Sequence, residues 1–168
     1  ANGSGKSTLL SLITGDNPQA YANDITLFGK KRGTGESIWD IKKPVGFVSP
    51  ELLRYFHTTS SCKHVVASGF FDTIGLFKKL DEAQKNVLEQ LITLLDLNDV
   101  ADIPLYRLPI GKQRLALIGR ALIKNPDLLI LDEPCQGLDN HQKQLINNLV
   151  SNWIEQNNKT LIYVTHNN

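Results

Sequence analysis

The sequence has no excess of charge of either sign. Its 18 Lys and Arg residues balance its 17 Asp and Glu residues, for a formal net charge of +1. This balance gives no electrostatic reason to expect binding to nucleic acid or to an anionic membrane surface. There are only two cysteines, Cys62 and Cys135, which provide no disulfide framework and fit a reducing cytosol. The apolar runs are far too short to span a bilayer, and internal repeats and low-complexity tracts are lacking.

The most informative segment is the start of the chain, ANGSGKST, at residues 1–8. It matches the phosphate-binding pattern G-x-x-x-x-G-K-[ST] except for the leading glycine, and its glycines let backbone N–H groups surround an anion. We expect Lys6 to reach the β- and γ-phosphates and the Ser7 hydroxyl to bind Mg²⁺. The predicted nucleotide-binding residues are Asn2, Gly3, Ser4, Gly5, Lys6, Ser7 and Thr8. Because one Gly before Ala1 would complete the pattern, we expect an N-terminally truncated fragment, cut inside its own active site.

An acidic pair follows the apolar run LLIL at residues 128–131. The run predicts a strand that is buried on both faces, with Asp132 and Glu133 directly after it. At the carboxyl end of such a strand, Asp132 can bind Mg²⁺ opposite Ser7. Glu133 leaves the strand in a different direction and is free to polarise an attacking water as a general base. Such a pair can also cap a helix, but beside a phosphate-binding loop it favours nucleotide chemistry.

The hydrophobic pattern predicts an α/β fold, because apolar strands alternate with helices as in a mostly parallel sheet with flanking helices. The predicted strands are residues 24–29, 44–49, 128–131 and 160–165, and the predicted helices are residues 9–15, 65–77, 81–95, 111–124 and 140–156. For the helix over 65–77, a break near Gly69 or Gly75 is an open alternative. Asp81 is the expected N-cap of the helix over 81–95. The residues expected on the apolar face of that helix are Val87, Leu88, Leu91, Leu94 and Leu95.

The helical stretch in the middle of the chain interrupts the alternation of strands and helices. We therefore expect a helical subdomain at about residues 55–110, inserted into a nucleotide-binding core formed by residues 1–54 and 111–168.

The order of these motifs resembles that of the ATP-binding cassette (ABC) ATPases, which are P-loop NTPases. The phosphate-binding loop comes first along the chain, and the helical insert follows it. Four short motifs come after the insert, in the order Gln113-Arg114, Asp132-Glu133-Pro134, Gly137-Leu138-Asp139 and Val164-Thr165-His166. More narrowly, the segments SIWDIKKPVGFVS, SGFFDTIGLF and LLILDEPCQGLD resemble the second cassette of bacterial molybdenum-transport ATP-binding proteins. Proteins of that family, also labelled photorepair proteins, carry two cassettes in tandem without membrane spans.

The resemblance implies roles for residues that match the family's motifs. It implies that the phosphate-binding loop binds ATP with Mg²⁺, that Asp132 binds the metal, and that Glu133 is the catalytic base. It places Asp139 in the loop that crosses to the opposing cassette. It places His166 where the family's switch histidine contacts the γ-phosphate.

Two segments depart from the family pattern. Pro50 stands where the family usually has a Gln that senses Mg²⁺ and couples to the helical subdomain, and Ser49 or Glu51 could substitute for it. The signature motif, normally Leu-Ser-Gly-Gly-Gln, reads LPIGK at residues 108–112. Pro109 has neither a hydroxyl nor an N–H to offer to a phosphate.

The resemblance also implies a head-to-tail pair of cassettes, in which each signature completes the partner's ATP site. The residues expected at this interface are Leu108, Pro109, Ile110, Gly111 and Asp139. Ile110 is bulky at a position where the glycine of the family's signature motif allows close approach to the partner's ATP site. We therefore expect the two ATP sites of the pair to be unequal. The site built on Lys6 and Glu133 should hydrolyse ATP, whereas the partner's site should hydrolyse slowly or only hold ATP.

The sequence thus predicts Mg²⁺-dependent ATP hydrolysis by a cassette that pairs with a second ABC cassette, in tandem or as a dimer. Three roles remain open. They are a molybdenum-transport-like ATP-binding protein, the nucleotide-binding subunit of another ABC transporter with a membrane permease, and a soluble ABC ATPase acting on a cytosolic partner. Direct binding to nucleic acid is not expected. The expected location is the cytoplasm, including the inner face of the cell membrane.

Overall fold

The chain folds into alternating helices and strands. The computed structural model describes residues 5–14, 16–17, 22–76, 78–156 and 158–165, with the backbone alone for Lys6 and Ser7. The helices are α1 (Lys6–Thr14), α2 (Ile38–Lys42), α3 (Cys62–Ala67), α4 (Glu82–Leu94), α5 (Ile110–Leu122) and α6 (Asn140–Ile154). The strands are β1 (Thr26–Leu27), β2 (Lys30–Lys31), β3 (Val45–Val48), β4 (Leu128–Asp132) and β5 (Thr160–Val164). Short 3-10 segments lie at Pro50–Tyr55, Ser68–Phe71, Asn98–Val100 and Leu105–Arg107.

β4 is the central strand of a three-stranded parallel sheet and pairs with β3 on one side and with β5 on the other. Its residues Leu129, Ile130 and Leu131 have no exposed surface. Parallel sheets are covered on both faces, which explains why the apolar run does not alternate with polar residues. The predicted parallel sheet with flanking helices is therefore confirmed.

The sheet separates two hydrophobic clusters. Leu128 and Ile130 pack on one face with Leu10 of α1, whereas Leu129 and Leu131 pack on the other face with residues of α3, α4, α5 and α6. Successive side chains of a strand point to opposite faces, so this division follows directly from the pleat. Helix α1 thus covers one face of the sheet, and the larger set of helices covers the other.

Helix α5 is buried over most of its surface, with ten of its 13 residues buried. It contacts α3, α6, β3 and the 3-10 segments Pro50–Tyr55 and Ser68–Phe71. Two glycines allow neighbouring backbone segments to pack closely against α5. A Cβ at Gly46 would lie 2.7 Å from the Ala121 carbonyl oxygen, and a Cβ at Gly69 would lie 2.0 Å from that of Arg120. A side chain at Gly46 would push β3 away from α5, and one at Gly69 would push the 3-10 segment Ser68–Phe71 away from it.

The strand predicted over residues 24–29 is wrong in extent. Only β1 is extended, and it pairs antiparallel with β2. Between them Phe28 and Gly29 have φ values of +52° and +74°. Two successive positive φ values are typical of a tight two-residue hairpin turn, so the segment turns back where the pattern predicted continued strand.

The helix predicted over residues 65–77 is interrupted near Gly69, one of the two breaks that the sequence pattern allowed. α3 begins at Cys62 and ends at Ala67, and a 3-10 segment continues only to Phe71. Asp72 then has a φ of +55°. A residue in this left-handed region cannot continue a right-handed helix, so the chain leaves the helix there. Phe77 lies outside the described residues.

α4 begins as predicted, because Asp81 caps it and forms a capping box with Gln84. Leu88, Leu91 and Leu95 are buried on its apolar face, as expected. The predicted burial of Val87 and Leu94 is wrong, since they are 44% and 60% exposed. Ile92 is buried in their place. The buried positions 88, 91, 92 and 95 follow the spacing of one helical stripe, outside which positions 87 and 94 fall.

The division into a nucleotide-binding core and a helical subdomain at about residues 55–110 stays a prediction. One hydrophobic cluster crosses the proposed boundary, because residues of α3 and α4 pack together with residues of β4 and α6. In the part of the chain that the structure describes, every helix is too short or too polar to cross a membrane.

The contact between Gly69 and α5 yields a stability prediction. Gly69→Ala should lower the free energy of unfolding by about 2–3 kcal/mol, because its Cβ would meet a backbone oxygen that cannot move alone. The matched control is Gly119→Ala, whose Cβ would lie 2.6 Å from Cδ1 of Leu95, the end of a flexible side chain. For Gly119→Ala we expect the free energy of unfolding to fall by about 1 kcal/mol. Chemical denaturation measures both, and equal losses would contradict the importance of the backbone approach.

Candidate active site

The N-terminus of α1 has the backbone geometry of an anion-binding site. Gly5 precedes α1 with a φ of +75°, and no described atom lies within 4 Å of the position that its Cβ would take. The N–H of Leu9 donates to the Gly5 carbonyl oxygen at 2.9 Å, which closes the first helical turn. The N–H groups of that first turn have no acceptor within the helix and are available to an anion. Asn2, Gly3 and Ser4 lie outside the described residues.

Asp132 ends the central strand on the face of the sheet that α1 covers. It pairs in register with Val164 of β5 and is half-buried. Because strand side chains alternate, Asp132 shares its face with Leu128 and Ile130, which pack against α1. The structure therefore places the Asp132 carboxylate, the predicted metal ligand, at the carboxyl end of β4. It lies on the sheet face that is covered by α1, the helix that follows the phosphate-binding loop.

Glu133 has an unusual backbone conformation. Its φ of +49° lies in the left-handed region, which side chains other than glycine rarely adopt. The conformation is held by two hydrogen bonds: the Glu133 N–H donates to the Val164 carbonyl oxygen at 2.9 Å, and the Gln136 N–H donates to the Glu133 carbonyl oxygen at 3.3 Å. Such backbone costs roughly 1–2 kcal/mol and concentrates at functional sites. No sequence signal indicated this strain.

His166, the predicted contact of the γ-phosphate, lies outside the described residues. The chain before it is described as far as Thr165, directly after β5.

The signature segment at residues 108–112, which departs from the family pattern, lies at the start of α5. Leu108 is buried, and Pro109 occupies the N-cap position without a side-chain capping bond. Ile110 is the first helical residue and is 56% exposed. Gly111 is buried. The signature segment therefore presents an apolar side chain at a helix start that lacks a capping hydroxyl.

Asp139 caps α6 and contacts the signature segment through Gln142. The Asp139 carboxylate accepts from the Gln142 N–H at 2.8 Å, and the Gln142 amide oxygen accepts from the Asp139 N–H at 3.2 Å. A Cβ at Gly111 would lie 2.3 Å from that amide oxygen. The structure thus joins two of the predicted interface segments. Gln142 is not among the predicted site residues, although the spacing Asp-x-x-Gln is the signal of a capping box.

The segment after β3 lies close to a buried arginine of α5. Pro50 begins the 3-10 segment, Ser49 before it is buried, and Glu51 is exposed. Burial lowers the pKa of Arg114, and the nearby carboxylates of Glu51 and Asp132 oppose that decrease. Arg114 is not among the site residues that the sequence predicts.

Comparisons with known proteins assign the chain to a family. The ABC transporter family profile matches residues 1–136. The ABC transporter ATP-binding protein ModF of Escherichia coli (strain K12) is 49% identical over 166 residues, which cover 98% of this chain and 34% of that protein. The zinc uptake system ATP-binding protein ZurA of Listeria innocua is 35% identical over 166 residues, covering 98% of this chain and 63% of that protein.

The fold is shared with solved ATP-binding cassettes. A dimeric cassette bound to ADP and phosphate matches with a TM-score of 0.76 and 23% identity, covering 99% of this chain and 72% of that one. The chain belongs to the ABC transporter family and has the cassette fold of its ATP hydrolases. It spans about a third of the length of ModF and less than two thirds of ZurA.

The contact between the two interface segments yields a second prediction. Gly111→Ala should lower the free energy of unfolding by about 1 kcal/mol, because the added Cβ would displace the Gln142 amide from the Asp139 N–H. In a Gln142→Ala background the same change should have almost no effect. Denaturation of the four proteins of this cycle measures the coupling, and an equal loss in both backgrounds would exclude the contact as the cause.

Proposed function

We propose that the chain forms one Mg·ATP site of an ABC ATPase, built from the N-terminus of α1 and the residues that follow β4. The observation that carries the proposal is the strained backbone of Glu133, next to Asp132 at the carboxyl end of the central strand. Ligands of open α/β sheets bind at this end of the strands. The face that Asp132 shares with α1 supports a single site that includes both.

The available donor groups fit ATP and Mg²⁺. The N–H groups at the start of α1, which have no acceptor within the helix, and the open space at Gly5 suit a phosphate. The Asp132 carboxylate is a hard oxygen ligand of the type that Mg²⁺ prefers, and Ser7 would add a hydroxyl oxygen. Lys6 would place its charge on the phosphates. A Mg²⁺ ion held by Asp132 and Ser7 would supply positive charge that neutralises the charge developing on the phosphates.

Glu133 is the proposed general base of this site. It orients the attacking water and accepts its proton, while His166 contacts the γ-phosphate. A base must be held within hydrogen-bond reach of the water, and the two backbone hydrogen bonds of Glu133 restrict its position accordingly. For a general base, the direction of the side chain matters more than local stability. This explains why Glu133 keeps a strained backbone.

The role of Glu133 is tested by Glu133→Gln. The amide has nearly the same shape but cannot accept a proton, so we expect kcat to fall by about 100-fold or more while ATP still binds. The measurements are steady-state ATPase rates and equilibrium nucleotide binding. Glu155→Gln, at the exposed end of α6, is the matched control and should leave both unchanged. Unchanged turnover in Glu133→Gln would contradict the proposal.

The whole protein is proposed to be a tandem-cassette ATP-binding protein of the molybdenum-transport type. The 49% identity to the ABC transporter ATP-binding protein ModF supports an ATP-binding role, and the resemblance of the segments SIWDIKKPVGFVS, SGFFDTIGLF and LLILDEPCQGLD supports the molybdenum-transport type. A nucleotide-binding subunit that acts with a membrane permease is the second candidate, because ZurA, at 35% identity, is named for zinc uptake. A soluble ATPase that acts on a cytosolic partner is the third, and the rigid Pro50 in the loop after β3 favours it over a permease-coupled subunit. Co-purification of the tagged protein with a permease from solubilised membranes would select the second candidate.

The partner is proposed to be a second ABC cassette, whose ATP site this signature segment completes poorly. Pro109 contributes no hydroxyl and no N–H, and the exposed Ile110 side chain stands at the helix start where a phosphate would approach. The dimeric form of the solved cassette with ADP and phosphate supports the pairing.

The asymmetry is tested by Pro109→Ser combined with Ile110→Gly. The double change restores a hydroxyl cap and removes the bulky side chain, so turnover at the partner's site should rise severalfold. The ATPase rate is measured in a Glu133→Gln background, which silences the site built on this chain, and Glu133→Gln alone is the control. The absence of any rise would overturn the proposed asymmetry.

A further inference from the structure

A cavity of about 500 Å³ lies between α3, α4 and the segment of residues 76–80 that precedes α4. Part of its lining is apolar. Ala67 and Leu88 are buried in the large hydrophobic cluster, and Leu76 and Leu80 are partly buried against the same cluster. Concave, largely apolar surface of this kind is the usual lining of a small-molecule site. The residues that line the cavity are distinct from those of the proposed Mg·ATP site.

The rest of the lining is basic. It consists of Lys63, His64, Lys78, Lys79 and Lys85, with Glu89 as the single acidic residue among the described residues that line the cavity. The chain as a whole has a formal net charge of only +1. The excess of positive side chains is therefore a property of this cavity and not of the composition. Clustered positive charges beside a low-dielectric apolar surface attract anions.

Two of the four lysines have carboxylate partners. Lys63 Nζ lies 3.9 Å from Glu89 Oε1, and Lys85 Nζ lies 2.6 Å from Glu82 Oε1. Both pairs are at the protein surface, where solvent screens them and such pairs contribute little to stability. They neutralise two of the positive charges around the cavity.

The charges of Lys78 and Lys79 have no such partners. Lys78 Nζ lies 5.4 Å from the centre of the Phe71 ring, a contact that leaves its charge available. The Lys79 side chain has no hydrogen bond or ion pair in the part of the chain that the structure describes. Because adjacent like charges repel each other, an anion close to both lysines would be attracted and would relieve that repulsion.

Covering of the leucines does not account for this arrangement. Lysine stems often lie along apolar surface and shield it from water. Here the cavity stays open, so the stems do not fill it. Apolar surface and uncompensated positive charge are therefore both accessible at one place.

We propose that this cavity is a second ligand site, which binds a small organic anion with an apolar body. The apolar body packs on Leu76, Leu80 and Leu88, and the phosphate, sulfonate or carboxylate group pairs with Lys78 and Lys79. The volume of about 500 Å³ suits a small molecule. Stable protein interfaces use about 20–30 residues on each side, whereas ten residues line this cavity. A small molecule is therefore favoured over a protein partner.

The test uses three probes that separate the charge from the apolar body. Naphthyl phosphate carries both, naphthol carries only the apolar body, and inorganic phosphate carries only the charge. Each is titrated into the purified protein by isothermal calorimetry. Naphthyl phosphate should bind at least about tenfold more tightly than either of the others, because each of them lacks one of the two interactions.

Charge reversal at the cavity locates the binding. Lys78→Glu combined with Lys79→Glu should weaken the binding of naphthyl phosphate by about tenfold or more, since attraction becomes repulsion. The matched control is Lys30→Glu combined with Lys31→Glu, which changes an adjacent exposed pair in β2 and alters the net charge equally. The control should change the affinity by less than about twofold, because solvent and salt screen charges that are far from the ligand.

Three results would overturn the proposal. The first is the absence of saturable binding of naphthyl phosphate, or equally tight binding of naphthol. The second is unchanged binding in the Lys78 and Lys79 double variant, which would place the probe elsewhere, for example on the phosphate-binding loop. The third is tighter binding of an acidic, leucine-rich peptide than of naphthyl phosphate, which would indicate a protein partner. The proposal does not depend on the activity of the Mg·ATP site.

Discussion

The burial of α5 is the constraint on which the rest of the structure depends. This helix contacts α3, α6, β3 and two 3-10 segments, so it must fit closely on several sides at once. Protein interiors are packed as densely as organic crystals, and a helix in this position leaves no room for adjustment. Gly46 and Gly69 allow the neighbouring backbones to reach it. The positions of β3, of the segment after it and of the N-terminus of α6 all follow from this contact surface.

The close fit of α5 also links parts of the proposed site that are distant in sequence. Its first turn contacts the capping box of α6 through Gly111 and Gln142, and the helix also contacts the 3-10 segment Pro50–Tyr55 after β3. A shift of α5 would therefore be transmitted to the segment after β3 and to the segment proposed to face a second cassette. A rigid element with several functional contacts is a suitable carrier for such coupling.

The proposed catalytic base is poorly optimised for stability. Glu133 holds a left-handed backbone that glycine would adopt more easily. The stability of the fold comes from elsewhere, namely the buried residues Leu128–Leu131 of β4 and the large cluster of helices beside it. Natural proteins often show this division, because active sites require charges and conformations that a core alone would exclude.

Local physical rules explain which elements the sequence predicted. The parallel sheet was predicted because a strand covered on both faces is apolar at every position, and the start of α4 because Asp81 and Gln84 form a local capping box. Two features depend on single dihedral angles, namely the turn at Phe28 and Gly29 and the change of chain direction at Asp72. The error at Val87 and Leu94 has a local cause, because both positions fall outside the apolar stripe that the helical spacing defines.

The sequence by itself determined the family, the order of the elements and the candidate residues of the phosphate-binding loop and of the acidic pair after β4. These are encoded in short segments, because phosphate binding needs consecutive backbone N–H groups and a buried strand needs consecutive apolar residues. Only the tertiary structure decided the strain at Glu133, the contact of Gly111 with the α6 cap, and the cavity that residues of α3 and α4 line together. These features join residues 18 or more positions apart or depend on hydrogen bonds between strands, and no local pattern in a single sequence records such contacts.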